Sequence, residues 1–421
     1  MNTNELLFES VKSKIYKIVK HSLQTVPYYR QNWGFDLPES IEEFDYAFFS
    51  SNVPILDKDI VRNDSGMFIS DSFNKEDLDC ETTSGTTGKP LVCYKSRDER
   101  FLYTRAIWQA RLSRTSELRL TDNTALFDAQ HFKGKNTTTG PFFYNRNVLL
   151  LSPYDLTSEQ LKIYWQELLK FKPKLINGPV IPIYNLALIV KQNNLPEYDI
   201  KLIELTNEYA SDHQIDFIKE SFNCEVVNCY ASKEFWTIAY SCKKNHLHAL
   251  NEYVFVESIY NSRNNANELV VTALNAKSWP LIRYRIGDLG NLFYEKKCSC
   301  GNINCFNLEI RKGRDIDHYT LMNGKVVSLE ILGKITERIN EKFRDRVIHQ
   351  HQMVIQDDSH LTINLCCDET QDQDEVLRCY RDMLLNSVGD DIELDIVVTD
   401  LIPQDKQTGK YRELINLSST N

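Results

Sequence analysis

A chain of 421 residues is long enough for two or three domains, each with a full core. Its 42% hydrophobic and 26% charged content is ordinary for a globular protein, and the formal charge of −10 argues against nucleic-acid binding through bulk electrostatics. The N-terminus lacks the basic and apolar order of a secretory leader, and no apolar run reaches the roughly 18 residues of a membrane helix. The 11 cysteines are an odd number scattered along the chain, so a cytoplasmic protein with reduced thiols and neither nucleic-acid nor membrane partners is expected.

From Glu5 to about Tyr29, Leu6, Leu7, Val11, Ile15, Ile18, Val19 and Leu23 recur at helical spacing, and Pro27 should end that helix. A short helix is expected near Ser40–Phe49. Thr82-Thr83-Ser84-Gly85-Thr86-Thr87-Gly88-Lys89-Pro90 follows, a stretch of small hydroxyl residues and glycines with one lysine. Almost nothing side-chain-sized shields its backbone N–H groups, and its hydroxyls and ammonium are further donors to phosphate oxygens. It is not a Walker loop, because two residues rather than four separate its glycines and Pro90 follows the lysine.

Leu91–Tyr94 reads as the strand leaving that loop. Helix 98–112 and strand 124–128 come next, then a polar loop from Gln130 to Tyr144. Strands at 148–152, 175–179, 200–206 and 226–230 alternate with helices at 158–171, 181–193 and 212–221. That alternation predicts an α/β fold with a mostly parallel sheet covered on both faces. From about 235 to 312 short strands predominate, which predicts a β-rich subdomain within an N-terminal domain spanning 1–312. Residues 313–317 are the expected hinge. Residues 318–421, with helices at 328–344 and 373–386 and strands at 349–355, 360–366 and 392–398, form the expected small, mobile C-terminal α+β lid.

Five motifs occur in a telling order: Thr83–Pro90, Cys229-Tyr230-Ala231-Ser232-Lys233-Glu234, Tyr284-Arg285-Ile286-Gly287-Asp288, Gly313-Arg314 and Thr408-Gly409-Lys410. Together they resemble the adenylate-forming enzymes. With Val26-Pro27-Tyr28-Tyr29, Pro54-Ile55-Leu56-Asp57-Lys58, Leu247-His248 and Pro280–Arg285, the chain looks most like phenylacetate–CoA ligase and its relatives over nearly its whole length.

The resemblance implies a two-step reaction, in which a carboxylate attacks the α-phosphate of ATP and a thiol then displaces AMP. Such chemistry asks for anion donors around the triphosphate, a metal to spread its charge and a cation at the bridging oxygen. By resemblance, Ser84, Gly85, Thr86, Thr87, Gly88 and Lys89 would hold the β- and γ-phosphates. Glu234 would ligate Mg²⁺, Asp288 would accept the ribose hydroxyls, and Tyr230 would lie against the adenine with Glu208 and Tyr209 opposite. Arg314 would approach from the hinge, and Lys410 would neutralise charge during adenylation, with domain rotation admitting the thiol. His131 and Ala231 would border the acid. The implied partners are a small carboxylic acid, aromatic or related, and coenzyme A or a carrier protein's phosphopantetheine arm; a homodimer is among the expected assemblies. A non-catalytic adenylate-binding member is the reading from another class.

The chain departs from the family's pattern at Ala231 and Lys233, where glycine and a hydroxyl residue are usual. It departs again at Asp315-Ile316-Asp317, where the acidic pair is split, and at Phe127–Phe132, which lacks glycines. These changes hint at an unusual acyl substrate. Separately, Cys298, Cys300 and Cys305 place three thiols within eight positions. A tetrahedral Zn²⁺ site needs one more donor, for which Cys242 is the first choice and His248 or His246 the second. The resemblance favours Cys242. Four protein ligands would make this zinc structural.

Overall fold

The computed structural model describes every residue except 84–89, 133–139, 155, 263–264, 315–317, 344–346, 368–372, 400–401, 403–410 and 419–421; the side chains of 311–314, 318, 328 and 330 are also left out. The expected phosphate loop from Ser84 to Lys89, the hinge residues 315–317 and Lys410 therefore lie outside the described residues, as does the side chain of Arg314. The chain forms two compact units, Met1–Leu151 with Leu161–Ile310, and Ser152–Gln160 with Arg311–Asn421.

The first unit begins with α1 (Thr3–Thr25), started by a capping box in which the Asn2 and Glu5 side chains satisfy each other's backbone N–H. Leu7, Phe8, Val11, Ile15, Ile18 and Val19 form its buried stripe, and the lysines face away. Fully burying a side chain such as Phe8 contributes roughly 1.5–3 kcal/mol. Pro27 ends α1 as expected but also starts α2 (Pro27–Asn32), since its fixed φ suits a first helical position. Two short helices follow, α3 (Tyr46–Asn52) and α4 (Lys58–Asn63).

β1 (Asp79–Thr82) and β2 (Val92–Lys95) form an antiparallel pair on either side of the glycine and threonine stretch. After α5 (Arg97–Arg114) come β3 (Thr124–Phe127), α6 (Ala129–Phe132), β4 (Phe142–Asn145) and β5 (Val148–Leu151), then α7 (Ser158–Phe171), β6 (Leu175–Pro179), α8 (Val180–Gln192), β7 (Leu202–Thr206), α9 (Asp212–Phe222) and β8 (Glu225–Ser232). The pairs β5–β3, β3–β6, β6–β7 and β7–β8 are all parallel, as the alternation of elements predicts. The stretch read as a polar loop from Gln130 to Tyr144 instead holds α6 and β4. β4 turns through Arg146 at φ 53° and pairs antiparallel with β5 at the sheet edge. Its exposed residues carry no alternating apolar pattern.

Beyond β8 the sheet becomes antiparallel: β9 (Trp236–Ser241), β10 (Leu247–Ala249), β11 (Val254–Asn261), β12 (Ala266–Ala273), β13 (Tyr284–Lys297) and β14 (Ile303–Arg314). Among the described residues the sheet has twelve strands, in the order β11-β12-β13-β14-β10-β9-β8-β7-β6-β3-β5-β4. β8 is where its two halves join, parallel to β7 and antiparallel to β9.

The second unit has its own core, with Leu332, Ile339, Met353, Ile363, Leu365, Tyr380 and Leu384 buried together. It contains the pair β15 (His318–Thr320) and β16 (Val326–Ser328), then α10 (Leu329–Lys342), β17 (Ile348–Ile355), β18 (His360–Cys367), α11 (Gln373–Val388), β19 (Glu393–Val398) and β20 (Leu414–Asn416). Its four-stranded sheet runs β19-β18-β17-β20.

Candidate active site and metal centre

Parallel strands place the loops that follow them along one edge of the sheet, where open α/β sheets bind ligands. Here that edge carries Asp128–His131 after β3, Asn207–Tyr209 after β7, and Tyr230–Ser232 closing β8. Gly178 near the end of β6 is required by close packing: a Cβ there would come 2.8 Å from Cβ of Phe127 and 2.9 Å from its ring. Asp128 organises α6 by accepting from the backbone N–H of Gln130 (2.9 Å) and His131 (3.2 Å). The His131 ring stacks on Phe143, with centroids 5.3 Å apart.

Glu208, expected at the adenine, accepts from the backbone N–H of Ile181 at 3.0 Å, so it caps the N-terminus of α8. Asn207 before it takes the left-handed φ of 68° that turns the chain away from β7. Tyr209 is exposed, and Ala231 is half-buried opposite Thr237.

Glu234 lies in the tight connection between β8 and β9. The Ser232 hydroxyl accepts from the Phe235 N–H at 3.2 Å, and Trp236 closes the turn at φ 60°. Phe235 is fully buried with its ring against Tyr284, so Glu234 is held inward and its side chain is only 2% exposed. Lys58 Nζ and the Tyr284 hydroxyl both donate to Oε1 of Glu234, each at 2.9 Å. Burial pushes the Glu234 carboxyl up, but the Lys58 ammonium, its hydrogen bond and the Tyr284 hydroxyl outweigh burial and hold it below the ordinary glutamate range. Burial first, and the Glu234 charge second, push the Tyr284 phenol far upward, so it stays a donor.

Lys58 reaches Glu234 because the N-terminal segment docks on β13. Leu56 exchanges backbone hydrogen bonds with Arg283 and Arg285 at 2.8 and 2.9 Å. Arg283, left-handed at φ 49° and buried, donates to both oxygens of Glu257 and to the carbonyls of Ser50 and Val53. Further along β13, Gly287 at φ 90° precedes Asp288, whose Oδ2 accepts from the Tyr230 hydroxyl at 2.7 Å. Only glycine holds such a φ without strain. The structure thus joins Tyr230 to Asp288 and Glu234 to Lys58 and Tyr284. Lys58 and Tyr284 lie within motifs visible in the sequence, but their roles are evident only from these contacts.

The cysteine cluster forms a second centre in the antiparallel half. One donor atom each from Cys242, His248, Cys298 and Cys300 lies within 4.8 Å of the others, a spread that fits four ligands around one Zn²⁺. Cys242 and His248 come from the end of β9 and from β10; Cys298 and Cys300 come from the turn between β13 and β14. The Lys244 N–H donates to Cys242 Sγ at 3.4 Å, and the Cys298 N–H closes its turn on the Asn302 carbonyl. Cys305 is buried against the cluster but stands outside this four-atom set, in which His248 takes the fourth place. His246 Nδ1 lies 3.1 Å from Cys298 Sγ.

No family model matches the chain. It is similar over 97% of its length to 2-hydroxyisobutyryl-CoA ligase, solved in the postadenylation state with 2-HIB-AMP, with 16% identity, a TM-score of 0.73 and 89% of that chain covered. The chain therefore has the fold of that acyl-CoA ligase. In sequence it is similar to Protein CapK of Staphylococcus aureus, 29% identical over a 257-residue alignment that covers 56% of this chain and 53% of that protein. It is also similar to indoleacetate–lysine synthetase of Pseudomonas savastanoi, 26% identical over 255 residues, which are 60% of this chain and 62% of that protein. The matched stretch therefore spans between about half and three fifths of these relatives' lengths.

Proposed function

We propose that the protein adenylates a small carboxylic acid with ATP and passes the acyl group to a thiol. The carboxylate oxygen forms a bond to the α-phosphorus, and pyrophosphate leaves. A thiol sulfur then forms a bond to the acyl carbon and AMP leaves, with the thiol proton released to solvent. Coenzyme A is the acceptor this reading favours, and an aromatic acid the favoured substrate. The observation that carries the reading is that Glu234 and the Tyr230–Asp288 pair, drawn from distant segments, stand at one end of β8 within an adenylate-forming fold.

In this reading Asp288 accepts from the ribose hydroxyls, and Tyr230, its phenol tied to Asp288, offers its ring to the adenine. Glu234 fits a divalent cation. It is ionised, and both of its side-chain donors among the described residues meet Oε1. Mg²⁺ there would spread triphosphate charge. Ser84–Lys89 remain the proposed triphosphate clamp, Arg314 the proposed hinge contact and Lys410 the proposed adenylation cation. Residues 318–421 remain the proposed lid. His131 and Ala231 remain proposed acid contacts, and Zn²⁺ on Cys242, His248, Cys298 and Cys300 would be structural.

The relative named for joining indoleacetate to lysine supports a second acceptor class, an amine, for the same adenylate. One panel tests the reading: ATP–pyrophosphate exchange and AMP release across aryl, fatty and amino acids, with coenzyme A, with lysine and with neither. Acid-dependent exchange, with AMP release raised by coenzyme A, is expected. Folded protein that gives no exchange with any acid would overturn it, and AMP release raised only by lysine would replace the thiol with an amine.

A further inference from the structure

β2 alternates half-buried and buried residues, with Cys93 and Lys95 inward. Lys95 is only 4% exposed, an expensive place for an ammonium group, since an apolar residue of similar size would give a cheaper core. Its Nζ donates to the backbone carbonyl of Lys233 at 2.5 Å and lies 5.7 Å from the centroid of the Trp236 ring. Glu81, Glu99, Glu234 and Cys93 are the titratable groups acting on it. Tyr103 and Arg100 on α5 also face the Trp236 ring, at 5.5 and 5.9 Å.

The bond to Lys233 joins two segments 138 residues apart. Lys233 immediately precedes Glu234. Its side chain also meets Glu81 on β1, at 3.8 Å. The β1–β2 pair therefore grips Lys233 twice, by its carbonyl from β2 and by its ammonium from β1. The second contact is solvent-exposed and adds little. The first comes from a buried ammonium and is directional. A polar group in the core that local packing does not require is where a functional constraint is expected.

We propose that Lys95 is a positioning residue for the nucleotide site, fixing the Lys233 carbonyl so that the turn presents the Glu234 carboxylate in register with the strand that leaves the glycine and threonine stretch. This inference rests on the reading of Glu234 as the residue that serves the metal–triphosphate. It assigns Lys95 no contact with substrate; it acts through Glu234. The consequence is selective. Ligands with a metal-bound triphosphate should depend on Lys95, whereas AMP, which has neither the β- and γ-phosphates nor a need for the metal, should not.

The test measures binding of Mg²⁺–AMPPNP and of AMP to the full chain by calorimetry, for wild type, Lys95→Met, Lys95→Arg, Glu234→Gln and Lys95→Met/Glu234→Gln, with thermal melts alongside. Removal of an orienting contact behind a metal ligand typically costs 10–100-fold, so Lys95→Met should weaken Mg²⁺–AMPPNP by about tenfold or more and leave AMP within about twofold. Lys95→Arg, which keeps a cation able to reach a carbonyl, should recover most of the loss. In Lys95→Met/Glu234→Gln the loss should not exceed that of Glu234→Gln alone, because both act through one group. Unchanged Mg²⁺–AMPPNP binding in Lys95→Met beside a weakened Glu234→Gln would overturn the role of Lys95 alone. Equal weakening of both nucleotides with a lowered melting temperature would also overturn it, as the mark of a structural lysine. If Glu234→Gln itself bound Mg²⁺–AMPPNP normally, the functional reading would fail and this inference with it.

Discussion

Two centres in the first unit gather groups that bind cations, and they solve the electrostatic problem differently. At Glu234 the chain supplies its own cation: Lys58 at 2.9 Å, with the Tyr284 hydroxyl on the same oxygen. At the cysteine cluster three thiols and an imidazole converge, with the Lys244 backbone N–H aimed at Cys242 Sγ. A buried carboxylate already paired is satisfied without a metal, so the divalent ion proposed there would be free to come and go with a nucleotide. In the proposed reading the thiols and imidazole are held together by an ion that belongs to the fold. On that proposal the first centre would serve turnover and the second permanence.

The largest effect should come from emptying the cysteine centre. Structural zinc contributes roughly 10–16 kcal/mol of apparent binding free energy, so Cys298→Ser should lose the metal and lower the melting temperature by about 10 °C or more. His248→Ala should do the same, whereas Cys305→Ser should keep its zinc, because Cys305 lies beside the four-atom set rather than in it. Elemental analysis is decisive: about one zinc per chain is expected, and under about 0.2 per chain would end the comparison, since structural sites hold their metal tightly.

How much of this was legible from sequence depends on the range of the contacts. The parallel strands were readable because helices and strands alternate from Thr124 to Tyr230 with strong apolar runs. β4 was not, because Phe142–Asn145 is mostly exposed and shows no alternation. The motif carboxylates Glu234 and Asp288 could be named by resemblance, but their partners could not. Lys58 and Glu234 are 176 residues apart, and no local pattern announces their pairing. Lys95 did leave a signal. In Leu91-Val92-Cys93-Tyr94-Lys95 the period of two puts the lysine on the same face as Leu91 and Cys93, both fully buried. Cys242, the first choice for the open place, does lie beside Cys298 and Cys300, but with His248 rather than Cys305, since β9 and β10 pair Tyr240 with His248 and bring the imidazole near Cys242.

An intermediate effect is expected at the charge pair. Lys58→Met leaves a buried carboxylate without its cation. Breaking a buried pair costs about 3–5 kcal/mol, and because the Lys58 side chain is 28% exposed and open to water, about 2–3 kcal/mol is expected. Urea melts of Lys58→Met, Glu234→Gln and the double variant check this. The double variant should be more stable than the two single losses added together imply, because the unpaired charge is gone. Simple additivity would mean that Lys58 does not compensate Glu234. Zinc content should not change in any of the three.

The smallest effect separates geometry from charge. Tyr284→Phe keeps the ring that packs on Phe235 and removes only the hydroxyl that donates to Oε1 of Glu234. A hydrogen bond to a charged group is worth about 1.5–3 kcal/mol, and since Lys58 still meets the same oxygen the loss should fall at the low end, about 1.5 kcal/mol. Burial and the neighbouring charge push the phenol pKa far above 10, so the hydroxyl is protonated in both the wild-type folded state and the unfolded chain throughout pH 6–9. Its contribution should therefore be constant over that window. Urea melts of wild type and Tyr284→Phe at pH 6, 7.5 and 9 should differ by the same amount at each pH. A difference that vanished by pH 9 would show the phenol ionising beside Glu234, and the self-compensated carboxylate that distinguishes this centre from the cysteine cluster would have to be redrawn.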